Sequence, residues 1–459
     1  MVSRLGLLLA AVAMALLACA GVVLAQPTGS DSEQAAGEEL VASTSSLSAG
    51  DVIPDSYIVV LNDDVSDPAA IASQLAQLHS FEVTHVYRNA LKGFAARAPS
   101  GLDLSSVLSN DPNVEFVAQD RVLKASAQTL PTGIDRVEAD QSSTNAGDGS
   151  GAVDADIAII DTGIYKHKDL EISGGHNCVG KHKRAYTDRN GHGTHVAGTA
   201  AAEDNDSGVV GVAPGARLWA VKVLNRHGSG SFSSVICGVD WVTGKAGTIE
   251  VANMSLGATV PGTDDGDCGW IGNRAARALH RAICKSVDAG VFYAVAAGND
   301  SHDFLTDVPA AFDQVLTVTA MSDFNGQPGG GALPTCRPDN ADDTAATFSN
   351  YTTVGSSDES HTIAAPGVCI KSTWKGGGYK TISGTSMATP HITGTAALCI
   401  WSGDCSDTDG DGKVEPSEVM TKLRNDAAAQ PASYGFVGDP NHPPANPLYY
   451  GYLEYAGGY

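Results

Sequence analysis

Basic residues are scarce in this chain. Twenty-eight Lys and Arg stand against 52 Asp and Glu, a formal net charge of −24. That balance argues against nucleic acid and anionic membrane surfaces as partners, because both would repel it. Bound cations, a salty habitat and plain solubility remain as reasons for the acid excess. Beyond the first 25 residues no stretch is apolar enough to span a bilayer. There is no C-x-x-C pair, so a cysteine zinc site lacks its usual signature. No internal repeat appears. What is present is ordinary globular material: 459 residues, 42% hydrophobic and 17% charged, enough for a sizeable core and for two folded units.

Residues 1–25 read as a secretory signal. Arg4 supplies the positive start, 5–17 the apolar segment, and Val23-Leu24-Ala25 a small-residue exit. Cleavage after Ala20 reads equally well. The 21 residues from Leu5 to Ala25 are also long enough for an uncleaved anchor, and Leu17-Ala18-Cys19 leaves a lipoprotein reading open. Residues 26–52 are Ser, Ala, Gly and Glu with few large apolar side chains, a low-complexity linker. Cysteine usage agrees with export. Setting Cys19 aside, eight remain, an even number that suggests disulfides. Cys399 and Cys405 flank a five-residue loop and are expected to pair. Proximity and elimination suggest Cys268 with Cys284, Cys336 with Cys369 and Cys178 with Cys237, although connectivity does not follow from sequence.

Two folded units are legible. In residues 53–126, strand patterns at 56–61 and 114–117 and within 81–98 alternate with helical spacing at 68–79 and 104–108. The order β-α-β-β-α-β makes a ferredoxin-like α+β fold plausible. Residues 127–459 alternate helical segments with short apolar strands at 157–160, 218–223, 249–255, 291–296 and 315–319. Buried strands of this kind imply an α/β fold with a parallel sheet covered by helices on both faces. Sites in such sheets form beyond the strands' carboxyl ends, where Asp161, Ser255 and Asn299 fall.

The stretch Gly384-Thr385-Ser386-Met387-Ala388-Thr389-Pro390-His391 places a serine at the start of a buried helix. There a hydroxyl lies near unpaired backbone N–H groups and the positive end of the helix dipole. The plain alternative is a helix cap. A serine nucleophile also needs a base and a carboxylate to orient that base. Asp161 ends the run Ile157-Ala158-Ile159-Ile160. His192 lies in Gly191-His192-Gly193-Thr194-His195-Val196-Ala197-Gly198. The alternatives are a solvated strand-end acid, and a capping or metal-binding histidine paired with His195. The order Asp, His, Ser is that of subtilisin. On these three blocks residues 53–458 resemble a subtilisin-like serine protease, or subtilase.

The resemblance carries expectations. Asp161, His192 and Ser386 form the triad, and Asn299 in Ala296-Ala297-Gly298-Asn299 donates to the oxyanion. An esterase would need a G-x-S-x-G elbow and the order Ser, Asp, His, neither of which is found. A catalytically dead binding protein on the same fold is opposed by the intact residues. Ser255, Leu256 and Gly257, with Ser229 and Gly230 opposite, are expected to bind an extended polypeptide through its main chain. Ordinary turns are the alternative for both segments. Asp300 lends acidity to the rim. Residues 53–126 resemble the inhibitory propeptide of the family, a partner of the enzyme until it is cut away near Ala127.

Two calcium signals stand out. Residues 407–418 fit the twelve-residue EF-hand loop, with Asp407, Asp409 and Asp411, the Lys413 carbonyl and Glu418 as ligands, Gly412 at the turn and Val414 pointing inward. An acidic loop ending in a helix cap is the alternative. The second signal comes from the resemblance alone: Gln128, Asp169 and Asn205 match the positions of a structural calcium site, on a loop made more acidic by Asp204 and Asp206. No organic cofactor is expected.

Overall fold

A computed structural model describes residues 52–121, 128–260, 268, 273–444 and 447–459. The signal and linker readings, and the expected cut near Ala127, lie outside the described residues. The chain divides into two compact units, 1–125 and 126–459.

The first unit is a four-stranded antiparallel sheet with two helices. Its elements are β1 (Val52–Leu61), α1 (Pro68–His79), β2 (Glu82–Tyr87), β3 (Gly93–Arg97), α2 (Leu104–Leu108) and β4 (Val114–Arg121). The strand order is β2-β3-β1-β4. Asp67 starts α1 by accepting from the N–H groups of Ala69 and Ala70, with Pro68 at the first helical position, where its missing N–H costs nothing. Val59, Phe94, Leu104 and Leu108 are fully buried and form its core.

The second unit is built on β5 (Asp156–Asp161), β6 (Ile172–Asn177), β7 (Arg217–Lys222), β8 (Val251–Met254), β9 (Ala258–Thr259), β10 (Phe292–Ala296), β11 (Asp307–Val308), β12 (Leu316–Ser322), β13 (Thr344–Ala345), β14 (Thr352–Thr353) and β15 (Thr362–Pro366). The main sheet runs β13-β12-β10-β8-β5-β7-β6, with β15 also on β12. Every pairing in it is parallel except β12 with β13.

Alternation along β5 shows why both faces are covered. Ile157 and Ile159 join one core with Val196, Ala388 and Ile392, from α4 (His192–Ala201) and α7 (Thr385–Ser402). Ala158 and Ile160 face the opposite core with Val239 and Ile283, from α5 (Phe232–Thr243) and α6 (Arg274–Val287). Successive side chains in a strand point to opposite faces, so a fully buried apolar run needs helices on both. The helix α3 (Thr132–Arg136) precedes β5, and α8 (Pro416–Ala429) follows α7 and adds Val419 and Leu423 to the first core. Helices α4 and α7 approach closely because Gly394 has no side chain. A Cβ there would lie 2.6 Å from Val212 Cβ and 2.9 Å from the Ala200 carbonyl oxygen. That approach brings the two helix starts to the same edge of the sheet.

Four disulfides tie the second unit: Cys178–Cys237, Cys268–Cys284, Cys336–Cys369 and Cys399–Cys405. These are the pairings that proximity and elimination suggested. Among the described residues no helix is long and apolar enough to cross a membrane.

Candidate active site

Asp161 closes β5 and is completely buried. Both of its carboxylate oxygens lie 2.9 Å from His192 Nδ1, and Oδ1 also accepts from the N–H of Thr162 at 2.6 Å. His192 opens α4, behind a Gly191 whose φ of 114° suits glycine. A Cβ on Gly191 would lie 2.4 Å from the Trp374 ring. The His192 side chain keeps 26% of its surface exposed, so its Nδ1 edge is fixed against Asp161 while the ring still lines the cleft. Burial pulls its pKa down. The Asp161 charge, the hydrogen bond to it and the Asp188 charge outweigh that and leave the pKa raised above 6.5.

Behind this pair lies a buried bracket. Asp188 accepts from the hydroxyls of Thr162 at 2.9 Å and Thr194 at 2.6 Å, and from the N–H groups of Asn190, Gly191 and Thr194. The Thr162 hydroxyl in turn accepts from the N–H of Gly193 at 2.9 Å. These bonds fasten the end of β5 to the first turn of α4, which holds carboxylate against imidazole. The motif reading missed Asp188. Its only sequence signal is an acid four residues before His192. His195 takes no part: its Nε2 faces the carbonyls of Ile370 and Lys380 at 3.0 and 3.1 Å, and burial lowers its pKa to about 3. It is a neutral core histidine, and a metal site shared with His192 has no support in this geometry.

Ser386 is the second residue of α7, so its backbone N–H has no carbonyl within the helix. Its hydroxyl lies 3.4 Å from the Ser255 carbonyl and makes no hydrogen bond to His192 in this state. Hydrogen bonds between nucleophile and base are often long or poorly aligned without substrate. Ser386 is tied to the sheet through its own carbonyl, which accepts from the Ser255 hydroxyl at 2.8 Å, and Asn253 contacts that hydroxyl at 2.9 Å. Asn299 follows β10. Its Oδ1 accepts from the N–H of Thr385 at 2.8 Å and from the Thr385 hydroxyl at 3.2 Å. With its oxygen held there, the NH₂ end is left without a protein partner among the described residues.

Two adjoining cavities share the wall Leu256, Gly257, Ala258 and Val308. The larger, about 640 Å³, is lined by His192, Ser229, Gly230 and Ser255, with Leu224, Phe232 and Val235. The smaller, about 390 Å³, is lined by Ser386, Asn299 and Asp307 among others. His192, Ser386, Asn299 and the expected peptide-binding segments therefore line two adjoining cavities, with Asp161 buried behind His192.

The expected metal ligands fall at two other places. Gln128 donates to the carbonyls of Glu203 and Val209, while its Oε1 is buried without a partner. Asp169 Oδ2 accepts from the N–H of Val209 and the hydroxyl of Tyr379, while its Oδ1 is likewise buried and orphaned. Asn205 turns its oxygen to Ser207. In the 407–418 loop, carboxylate oxygens of Asp407, Asp409 and Glu418 lie within 4.8 Å of one another, as do those of Asp409, Asp411 and Glu415. Their bonds go to the loop's own N–H groups: Asp407 to Gly410 and Gly412, Asp409 to Asp411, and Asp411 to Lys413. Glu418 accepts from Thr408 and closes a capping box with Glu415 at the start of α8. Val414 is 37% exposed rather than inward-pointing, because the loop around it lies at the surface.

Known proteins resemble this chain over most of its length. A sequence profile described as "Subtilase family" matches residues 154–436. A thermostable alkaline protease of Halalkalibacterium halodurans is 39% identical over 291 residues, 63% of this chain and 68% of that one. The M-protease of Shouchella clausii is 34% identical over 372 residues, 78% of this chain and 84% of its own. Subtilisin E of Bacillus subtilis is 36% identical over 309 residues, 66% and 70%. A solved structure described as a cold adapted subtilisin-like serine proteinase aligns with TM-score 0.50 and 29% identity, covering 72% of this chain and 99% of that one.

Proposed function

This chain belongs to the subtilase family and is a serine endopeptidase, and on that premise we propose that Asp161, His192 and Ser386 carry its reaction. Ser386 Oγ attacks the scissile carbonyl while His192 Nε2 takes its proton and passes it to the leaving amine. Asp161, on Nδ1, fixes the tautomer and stabilises the imidazolium that forms. The observation that carries this reading is the buried Asp161 carboxylate with both oxygens 2.9 Å from Nδ1 of an imidazole that lines the cleft. The charge on the tetrahedral oxygen is met by the Ser386 N–H and the Asn299 amide. An extended polypeptide lies along Ser255, Leu256 and Gly257 with Ser229 and Gly230 opposite, and the apolar Leu224, Phe232 and Val235 receive one of its side chains.

The enzyme is made as an exported zymogen. Residues 1–25 direct export, and 53–126 form an inhibitory propeptide that the enzyme removes by cutting near Ala127. Calcium fits best at Gln128 and Asp169, where two buried oxygens lack partners; that is the situation a hard cation relieves. Gln128, Asp169 and Asn205 would hold it, and its positive charge would stabilise the fold rather than take part in the reaction. Asp407, Asp409, Asp411, the Lys413 carbonyl and Glu418 would hold a second, more exposed ion.

Purified precursor provides the test. The wild-type chain should mature in the absence of other proteases and then degrade an unstructured protein, whereas Ser386→Ala should remain uncut. Maturation of the alanine variant at the wild-type rate would overturn self-processing.

A further inference from the structure

We propose that Asp307 makes this enzyme prefer peptide bonds that follow a basic residue, lysine or arginine. The inference rests on the peptidase reading and extends it to the substrate's side chain. During attack the scissile carbonyl carbon sits at Ser386 Oγ and its oxygen at the Asn299 amide. The side chain next to that carbonyl must therefore enter the cavity that Ser386 and Asn299 themselves line, the one of about 390 Å³. Its remaining walls are mostly small or apolar, including Gly257, Ala258, Ala297 and Val308. Two charged residues line it, Asp300 at the exposed rim and the buried Asp307, and no Lys, Arg or His does so among the described residues.

Asp307 is held ready for a cation. The two-residue strand β11 pairs antiparallel with β9, with Asp307 opposite Thr259 and Val308 opposite Ala258. The proposed peptide-binding segment thus continues into the strand that fixes Asp307. Only 9% of the carboxylate side chain is exposed. Its Oδ2 accepts from His302 Nε2 at 2.6 Å and from Asn350 Nδ2 at 2.7 Å. Its Oδ1 has no partner among the described residues, yet it is not one of the polar atoms sealed from solvent. One oxygen is anchored and the other is left for a ligand. Asn350 is fully buried and also binds the oxyanion loop, donating to the Ala297 carbonyl and accepting from the N–H groups of Asp300 and His302. The loop that carries Asn299 and the Asp307 carboxylate are therefore held by one side chain. A fixed carboxylate in a small, largely apolar cavity attracts an ammonium or guanidinium far more than it does in water, and it rejects another carboxylate.

A peptide series tests this. Tetrapeptide p-nitroanilides differ only in the residue before the scissile bond: lysine, arginine, norleucine, phenylalanine or glutamate. Norleucine is close to lysine without its ammonium. Lysine and arginine should exceed norleucine in kcat/KM by at least about ten-fold, with glutamate lowest. Asp307→Asn, quantified by active-site titration with a serine-directed phosphonate, should bring the lysine-to-norleucine ratio close to one. Asp300→Asn should keep most of the preference; if that variant alone lost it, the charge would belong to the rim and the assignment to Asp307 would be wrong. Should Asp307→Asn fail to fold, the wild-type ratio together with Asp300→Asn decides. Norleucine or phenylalanine equal to or better than lysine in an enzyme that takes the phosphonate would overturn the inference and leave the peptidase reading intact. No cleavage of any peptide and no phosphonate uptake would overturn both.

Discussion

The catalytic cleft and the 407–418 loop both carry clusters of oxygen, and they hold them in opposite ways. In the cleft, Asp161 is sealed from water and both of its oxygens face one imidazole nitrogen. In the loop, Asp407, Asp409 and Asp411 lie at the surface and spend their oxygens on neighbouring backbone N–H groups. The Gln128–Asp169 site stands between them, buried like the cleft but with oxygens unspent. Motif agreement is equally good in the first two places, so the motif does not separate them. Burial does. It strengthens each interaction by excluding water, and it leaves a group only the partners that the fold supplies.

The comparison is sharpened first at the oxyanion. Asn299→Ala should lower kcat by about 10²–10³ with little change in KM, a magnitude known from subtilisin's own oxyanion amide. Steady-state kinetics on a peptide anilide would show it, and a loss confined to KM would place Asn299 in ground-state binding instead. Next comes pH. In the proposed mechanism His192 must be neutral to accept the serine proton, and its pKa is raised by Asp161 and Asp188 against the pull of burial. The rising limb of kcat/KM should therefore lie above 6.5, with activity falling about ten-fold per unit below it. An acidic optimum with loss of activity above neutrality would break the assignment.

Calcium tests the two proposed metal sites against each other. A ligand at a hundredfold excess over its Kd stabilises by about 2.7 kcal/mol. Asp169→Asn should remove the larger part of the calcium-dependent rise in Tm, and Glu418→Gln a smaller part of a few degrees, with peptide turnover nearly unchanged in the latter. Equal calcium stoichiometry and equal melting curves for wild type and Glu418→Gln would reduce the loop to an acidic helix cap.

The smallest effect is expected at Asp323, buried beside Arg136 at 3.6 Å with Oδ2 lacking a hydrogen bond. Burial raises its pKa to about 7, against the pull of the Gly326 N–H and the Arg136 charge. A carboxyl raised in the fold takes up a proton more readily there than in the unfolded chain. Its contribution is fully present below about pH 4 and is lost as pH rises through about 7. Asp323→Asn should flatten the dependence of Tm on pH across that window, and an unchanged slope would assign the pH dependence to other groups.

How much of this was legible in the sequence depended on the range of each contact. Asp161, His192, Ser386 and Asn299 sit in short runs whose neighbours supply a strand end, a helix start or a tight turn, and these are local signals. The parallel sheet was legible because fully apolar runs such as 157–160 can only be buried on both faces. The strand reading at 249–255 was too long: β8 stops at Met254, and Ser255 turns its hydroxyl to Ser386. Asp307 and Asn350 carried no motif. Their placement arises from β9 meeting β11 and from a side chain bridging residues 43 positions apart, and no periodicity encodes such contacts. The sequence drew attention to Asp300 instead, which is adjacent to Asn299 in the chain but exposed at the rim.

The central claim is that Ser386 is the nucleophile, activated by His192 under the hold of Asp161. Mapping the site of covalent attachment tests it most directly. Matured enzyme treated with a serine-directed phosphonate, digested and analysed by mass spectrometry should carry one label, on Ser386, and labelling should slow by orders of magnitude in His192→Ala. A label on another serine, or full peptide hydrolysis by enzyme labelled stoichiometrically at Ser386, would contradict the account.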